Sequence, residues 1–168
     1  MKVTLTTNGQ TQDTFIYTGG KAWVDGQPTA VMIHGVLNDH SVWILQSRYL
    51  AHHGYNVLAL DLPGHGQSTG APPATVEAAA AHIWALLDVL KIEKAALIGH
   101  SFGALIALQA AAERPAACNH LGLVGIAYPM RVSPVLLELS PALVWIASGM
   151  AGAEEVLRLR LEQGWPQL

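Results

Sequence analysis

The sequence predicts an α/β fold with three layers, a mostly parallel β-sheet covered by helices on both faces. Short apolar runs of strand length alternate along the chain with longer runs of helical character. This alternation is typical of parallel sheets whose crossover helices bury both faces. A tight strand-to-helix turn marked by Gly99 and Gly103 supports the same fold. The 168 residues, of which 51% are hydrophobic, suffice for one domain with a sizeable core.

The individual elements follow from hydrophobic spacing and turn residues. Val3–Thr7 and Thr14–Thr18 mix polar and apolar residues around Asn8-Gly9, which predicts an N-terminal hairpin. Further strands are predicted at the apolar runs Thr29–Ile33, Asn56–Leu60, Ala95–Ile98 and His120–Ala127. Helices are predicted over Val42–His53, over the helically spaced Val76, Ala79, Ala80, Ile83, Leu87 and Leu90, and over Ala104–Arg114. From Ser133 to Leu168 the pattern indicates short helices and no strand.

Composition argues against several classes of partner. The net charge of −3 and the 12% content of charged residues leave no basic stripe, so we expect no nucleic-acid partner. The lone Cys118 predicts no disulfide framework and fits a reducing compartment. Met1–Thr14 lacks the apolar centre of a signal peptide, and the uncharged stretch Leu139–Ala153 is too short to span a bilayer. The expectation is a soluble, cytoplasmic protein without a metal or cofactor.

The segment Gly99-His100-Ser101-Phe102-Gly103 has the pattern G-x-S-x-G between a predicted strand and a predicted helix. A serine at so tight a turn adopts a strained backbone and presents its hydroxyl in the open. Side chains two positions before and after it would collide with the crossing backbone, which explains both glycines. The pattern therefore predicts Ser101 as a catalytic nucleophile. The alternative is a serine that only caps the following helix.

With two further motifs, the chain resembles the N-terminal part of an α/β-hydrolase-fold protein of the serine hydrolase branch. His34-Gly35 directly follows one strand, and the run from Asp61 to Ser68, D-L-P-G-H-G-Q-S, follows the next. The three motifs occur in the family's order over about residues 1–130. The resemblance implies a hydrolase core at residues 1–132 and the start of a helical cap at residues 133–168.

The resemblance also implies roles for the residues around Ser101. The backbone N–H groups of Val36 and Phe102 would form the oxyanion hole, with Leu37 as the neighbour that could replace Val36 and a plain tight turn as the alternative. The residues expected to support the site are His34, Gly35, Gly99, His100 and Gly103. Among them, His34 is expected to be a hydrogen-bonded structural histidine and His100 a packing residue, while Asp61 and His65 are expected to brace the glycine-rich turn.

The residues after Ser101 do not complete a catalytic triad. The fold's order is serine, acid, histidine, and the one later histidine, His120, is expected at the amino end of a strand, opposite the catalytic edge. The later acids are Glu113, Glu138, Glu154, Glu155 and Glu162. Glu113 is expected a helix length away, and the others fall in the cap. We therefore expect a hydrolase truncated within its cap, inactive or vestigial alone, whose open strand edge favours self-association.

The expected activity is hydrolysis of carboxylic esters, which needs no cofactor. Thioesterase, acyltransferase, perhydrolase and carbon–carbon hydrolase chemistry would use the same residues, and a catalytically dead binding module or a nonfunctional fragment is the non-enzymatic alternative. A serine argues against the dehalogenase and epoxide hydrolase branches, which use aspartate. The apolar residues of Val135–Leu137, Leu143–Ile146 and Leu157 are expected to cover the pocket over Ser101 and to favour small or medium hydrophobic acyl substrates; the alternative is that these helices pack only on themselves.

Overall fold

A computed structural model describes residues 1–7 and 10–125 of the chain. The strands are β1 (Lys2–Thr7), β2 (Gln10–Tyr17), β3 (Thr29–Ile33), β4 (Asn56–Leu60), β5 (Ala95–His100) and β6 (Cys118–Val124). The helices are α1 (Ile44–His52), α2 (Val76–Val89) and α3 (Phe102–Glu113), with 3-10 turns at His40–Trp43 and Pro115–Ala117. The predicted cap, its four glutamates and the last two residues of the predicted sixth strand lie outside the described residues.

The six strands form one sheet in the order β1-β2-β4-β3-β5-β6. β1 and β2 form the predicted antiparallel hairpin, β2 runs antiparallel to β4, and the other neighbours are parallel. Ile33 pairs with Leu60 on one side and with Gly99 on the other. The carboxyl ends of β3, β4 and β5 therefore lie level at one edge of the sheet.

Helices cover both faces, which confirms the predicted three-layer α/β fold. On one face, alternate strand residues such as Val31 and Leu97 join the larger core with side chains of α2 and α3. On the other face, Met32 and Val57 pack with Trp43 and Ala51 in a smaller core beneath α1. Period-two alternation of the strand side chains sends neighbouring residues to opposite faces.

Several element boundaries differ from the sequence prediction for local reasons. The helix predicted from Val42 to His53 begins instead as a 3-10 turn, because the Asp39 side chain accepts a hydrogen bond from the Ser41 N–H and starts the turn there. The helix after the strand-to-helix turn begins at Phe102, two residues earlier than predicted. In the part of the chain that is described, each helix is too short to cross a membrane.

Candidate active site

Ser101 lies at the carboxyl edge of the sheet, between β5 and α3, with φ 54° and ψ −117°. This backbone conformation is strained for a residue with a side chain. Two hydrogen bonds hold it, from the Ser101 N–H to the Val124 carbonyl at 2.8 Å and from the Ala104 N–H to the Ser101 carbonyl at 3.0 Å. The Ser101 hydroxyl makes no hydrogen bond to the amides of α3. Ser101 therefore does not cap the helix, and its half-buried hydroxyl can act elsewhere.

The two glycines of the motif sit where the backbones of β3, β5 and α3 touch. A Cβ at Gly99 would overlap the carbonyl oxygen of Gly103, and a Cβ at Gly103 would overlap the carbonyl oxygen of Ile33. Both obstacles are main-chain atoms, which cannot rotate away as a side chain can. The glycines thus allow the strand, the turn and the helix to pack closely enough to hold Ser101 in its strained conformation.

The loop after β3 passes directly beside Ser101. A Cβ at Gly35 would lie 3.1 Å from the Ser101 Cβ. The Gly35 carbonyl accepts a hydrogen bond of 2.6 Å from Nδ1 of His34. Because the peptide is planar and trans, the Val36 N–H points to the opposite side, away from the His34 ring. Among the described residues the Val36 N–H has no hydrogen-bond partner, whereas Leu37 is 65% exposed with φ 55°.

His34 is fully buried and both of its ring nitrogens are engaged. Nδ1 donates to the Gly35 carbonyl, and Nε2 accepts the Leu62 N–H at 3.0 Å. Burial lowers the pKa of His34 to about 4, against the hydrogen bond to Gly35, which raises it. The ring is therefore neutral at pH 7 with its proton on Nδ1. In this arrangement His34 orders two loops and offers no free nitrogen to Ser101.

Asp61 follows β4 and is also fully buried. Its Oδ2 accepts the Gln67 N–H at 2.8 Å, and its carbonyl accepts the Ser68 hydroxyl at 2.7 Å, so it braces the glycine-rich turn. Its Oδ1 accepts both the N–H and the Nδ1–H of His40, at 2.7 and 2.8 Å. Sequence reasoning missed His40, since nothing in the local pattern links it to a residue 21 positions later.

His100 and Phe102 flank Ser101 in sequence but face different surroundings. Phe102 is buried in the larger core, and its N–H lies at the start of α3, where the helix dipole favours negative charge. The His100 ring meets the Trp43 ring edge-on at 6.4 Å on the α1 face. Its Nδ1 is buried without a hydrogen-bond partner among the described residues. His100 thus packs against α1's side of the sheet.

All eight histidines of the sequence lie in the described part of the chain, and the remaining ones have the following surroundings. His65 donates from Nδ1 to the Pro63 carbonyl, and its ring lies 5.2 Å from the His34 ring. His52 and His53 end α1, and His82 joins α2 to β2. His120 is exposed and pairs with Ala96 near the amino end of β5, at the opposite edge from Ser101.

Comparison with curated proteins places these features in a known family. The family model for the alpha/beta hydrolase fold matches residues 28–161. The chain is 39% identical over 100 residues to the dihydrolipoyllysine-residue acetyltransferase component of the acetoin cleaving system of Cupriavidus necator, covering 59% of this chain and 26% of that protein. It is 35% identical over 106 residues to (E)-2-((N-methylformamido)methylene)succinate hydrolase of Acinetobacter baylyi, covering 62% of this chain and 39% of that protein.

Solved structures show the same fold. The thioesterase domain from the curacin biosynthetic pathway is 27% identical with a TM-score of 0.65, over 83% of this chain and 50% of that chain. Epoxide hydrolase A from Mycobacterium thermoresistibile is 27% identical with a TM-score of 0.61, over 83% of this chain and 43% of that chain. The match thus spans half or less of the length of each of these relatives. Because the family model covers most of the sequence and the sheet is shared with solved members, this chain belongs to the α/β hydrolase fold family.

Proposed function

We propose that this chain carries the nucleophile and the oxyanion hole of a serine hydrolase that acts on carboxylic esters or related acyl substrates. The observation that carries the proposal is the strained backbone of Ser101, with φ 54° and ψ −117° and a hydroxyl that does not cap α3. Strain of this kind persists at sites where function requires it. The backbone contacts of Gly99 and Gly103 support the same role, because they hold the turn in place.

In the proposed reaction, Ser101 Oγ attacks the acyl carbonyl carbon while a base removes the hydroxyl proton. The carbonyl oxygen becomes an oxyanion, which the N–H groups of Val36 and Phe102 stabilise. The tetrahedral intermediate collapses to an acyl-serine as the leaving alcohol takes the proton. Water, deprotonated by the same base, then attacks the acyl-serine, and the acid leaves as Ser101 Oγ regains its proton. Each oxyanion donor is worth on the order of 3 kcal/mol in the barrier.

We further propose that the base and the acid of the triad come from polypeptide outside these 168 residues. Both ring nitrogens of His34 are engaged, His120 lies at the opposite edge of the sheet, and His100, although adjacent to Ser101, turns its ring toward Trp43. The matched region covers only 26% and 39% of the two curated relatives named above. Without a base, the serine hydroxyl stays protonated and reacts slowly.

The acyl class follows from the nucleophile. A serine that opened an epoxide would become an ether, which water does not readily cleave, so the likeness to epoxide hydrolase A does not extend to its chemistry here. Thioester hydrolysis proceeds through the same acyl-serine, and the likeness to a thioesterase domain favours it as the second candidate. The preference for hydrophobic acyl groups rests on the apolar segments after residue 133, which lie outside the described residues.

The chain alone is also proposed to self-associate through β6, the edge strand of the described sheet. Cys118–Val124 contains no Lys, Arg, Asp or Glu, and Val124 is 48% exposed. Charged residues are a common means of blocking an open edge. A second copy could therefore pair along this strand.

The proposed function is tested by labelling the purified chain with a fluorophosphonate probe, with and without added imidazole as an external base. We expect slow labelling of the wild-type chain, an increase that scales with imidazole concentration, and no labelling of Ser101→Ala. Rapid labelling without imidazole would show that a base lies within the chain. Equal labelling of the wild type and Ser101→Ala would refute Ser101 as the nucleophile.

A further inference from the structure

We propose that His40 and Asp61 form a positioning pair that holds the loop carrying Val36, and thus the oxyanion donor, in register with Ser101. The inference rests on the proposed function, since it concerns the same site. His40 and Asp61 act without contacting the reacting atoms. They act by fixing the backbone between β3 and α1.

The loop from His34 to His40 is tied at both ends to one partner, the turn after β4. At its start, the His34 Nε2 accepts the Leu62 N–H at 3.0 Å. At its end, the backbone N–H and the Nδ1–H of His40 both donate to the Asp61 Oδ1, at 2.7 and 2.8 Å. Val36 lies between the two ties, so its N–H position depends on both.

In the middle of the loop, Val36 packs partly buried against the larger core, whereas Leu37 faces solvent. Leu37 has φ 55°, a left-handed conformation that is strained for leucine, and it is 65% exposed. A strained and solvent-facing residue persists only where the surrounding structure imposes its conformation. The two ties at the loop ends, together with the packing of Val36, are the contacts by which the rest of the protein holds the loop.

The surroundings of Asp61 favour holding the loop over binding a cation. Asp39, His40 and Asp61 place one possible ligand atom each within 4.8 Å of one another. However, Asp61 is fully buried, and both of its carboxylate oxygens already accept N–H groups, from His40 and from Gln67. The His40 Nδ1 proton points at Asp61, so that nitrogen is a donor and not a metal ligand.

The His40 ring is itself held by packing. It lies 4.8 Å from the Phe15 ring and 5.9 Å from the Tyr17 ring, both on β2, and its side chain is 17% exposed. The pair therefore connects three elements, β2, the loop after β3 and the turn after β4. Displacement of a catalytic group by about 1 Å can lower a rate on the order of 100-fold, so a loosened loop should be visible in kinetics.

The test compares His40→Leu, which removes the side-chain donor, with His40→Asn, whose amide can donate from nearly the same position. The matched control is His53→Leu, an exposed histidine whose Nδ1 donates to the Tyr49 carbonyl far from the loop. Each full-length variant is labelled with the fluorophosphonate probe in fixed imidazole over a range of probe concentrations. Deuterium exchange of the peptide spanning residues 34–40 is measured in parallel.

We expect His40→Leu to lower the maximal labelling rate by about 10-fold or more, with the half-saturating probe concentration unchanged, because the oxyanion forms only on the way to the adduct. The maximal labelling rate of His40→Asn should lie within about 3-fold of the wild-type rate, and that of His53→Leu should equal the wild-type rate. The residue 34–40 peptide should exchange faster in His40→Leu alone, while α2 peptides stay protected.

An unchanged maximal rate and unchanged exchange in His40→Leu would overturn the positioning role. The two failures are distinguishable: if Ser101→Ala labels like wild type, the proposed function is wrong, whereas the exchange measurement still reports whether His40 holds the loop. If exchange rises but the rate does not, the pair orders the loop without positioning the oxyanion donor, and the inference is also overturned.

Discussion

The face of the sheet covered by α2 and α3, termed the closed face, lies against helices with many buried residues, whereas α1 on the other face buries few residues. Among the described residues, a cavity of about 580 Å³ that is open to solvent lies on the α1 side, bordered by residues of α1, β3, β5 and β6. α3 buries nine consecutive residues from Phe102 to Ala110, but α1 buries only Ser47 and Ala51. The backbone contacts of Gly99 and Gly103, which shape the serine turn, lie on the closed face.

The difference between the two faces indicates where the structure tolerates substitutions. On the closed face, Gly99 and Gly103 meet main-chain atoms, which have no freedom to move aside. On the α1 face, the atoms nearest to a Cβ at Gly122 of β6 belong to the side chain of Ile98, which borders the cavity. Close packing makes small volume changes costly, and a neighbouring cavity relieves that cost. Substitutions of equal size should therefore differ strongly between the faces.

The largest effect is expected for Gly103→Ala. Its methyl group would overlap the Ile33 carbonyl oxygen, so the free energy of unfolding should fall by about 4 kcal/mol or more, measured by urea unfolding followed by circular dichroism. The control is Gly122→Ala, whose methyl group would lie 3.3 Å from the Ile98 Cγ2, and it should cost about 1 kcal/mol. Similar losses in the two variants would remove the distinction between the faces.

The second effect compares two neighbours on β5. Leu97 is 0% exposed and faces α2 and α3, while Ile98 lines the cavity beneath α1. Leu97→Ala should lower the free energy of unfolding by about 3–4 kcal/mol, and Ile98→Ala by about 1–2 kcal/mol, because a new cavity costs less where contacts are already incomplete. Chemical denaturation of both variants checks this. An equal or reversed order would show that the α1 face is as well packed as the other.

The third effect is a dependence of stability on pH that originates at two buried histidines. His82 of α2 joins Thr14 through Nε2 at 2.9 Å, and desolvation lowers its pKa to about 4, as burial does for His34. The unfolded chain binds these protons near pH 6.5, so it gains protons first as the pH falls. The contribution of these histidines to the free energy of unfolding should be fully present above pH 6.5. It should decline between pH 6.5 and 4, by up to about 3 kcal/mol for each histidine.

Unfolding free energies at several pH values test that expectation. His82→Leu should lower stability at pH 7, because Thr14 loses its partner, but it should reduce the slope between pH 6.5 and 4 by about half. The exposed His53 on the α1 side is the control, and His53→Leu should leave the slope unchanged. A wild-type chain that is equally stable at pH 7 and pH 4.5 would contradict the prediction.

The smallest effect is expected at Leu45 of α1, an exposed residue at the rim of the cavity. Leu45 is 74% exposed, so Leu45→Ser should change the free energy of unfolding by less than about 0.5 kcal/mol. Leu105 of α3 is 6% exposed, and Leu105→Ser should cost several times more, about 3 kcal/mol. Thermal unfolding of the pair measures the contrast. A large loss for Leu45→Ser would mean that α1 depends on contacts beyond those described.

The sequence predicted the fold class and the strand-to-helix turn because their signals are local. Apolar runs of strand length and the glycines at 99 and 103 lie within a few residues of the features they specify. It predicted α1 less well, since the Asp39 cap starts a 3-10 turn before a helix with only a weak apolar stripe. The roles assigned to Ser101, Val36 and Phe102 stay predictions until they are tested in solution.

The contacts that sequence reasoning missed join residues far apart in the chain. His40 meets Asp61 across 21 residues, and His82 meets Thr14 across 68. Hydrophobic periodicity does not indicate such a pairing, because each partner alone is an ordinary polar residue in a loop, a strand or a helix. Their burial, and the lowered pKa of His82, become visible only once the hairpin and the loops are packed.

The sequence by itself determined the alternation of strands and helices and the position of the serine turn, because hydrophobic spacing and glycine act within a few residues. Tertiary structure alone decided which loops meet at the carboxyl edge. The register that pairs Ile33 with both Leu60 and Gly99 brings His34, Asp61 and Ser101 to the same level of the sheet. Hydrogen bonds between those loops form only after parallel strands, distant in sequence, have closed the sheet.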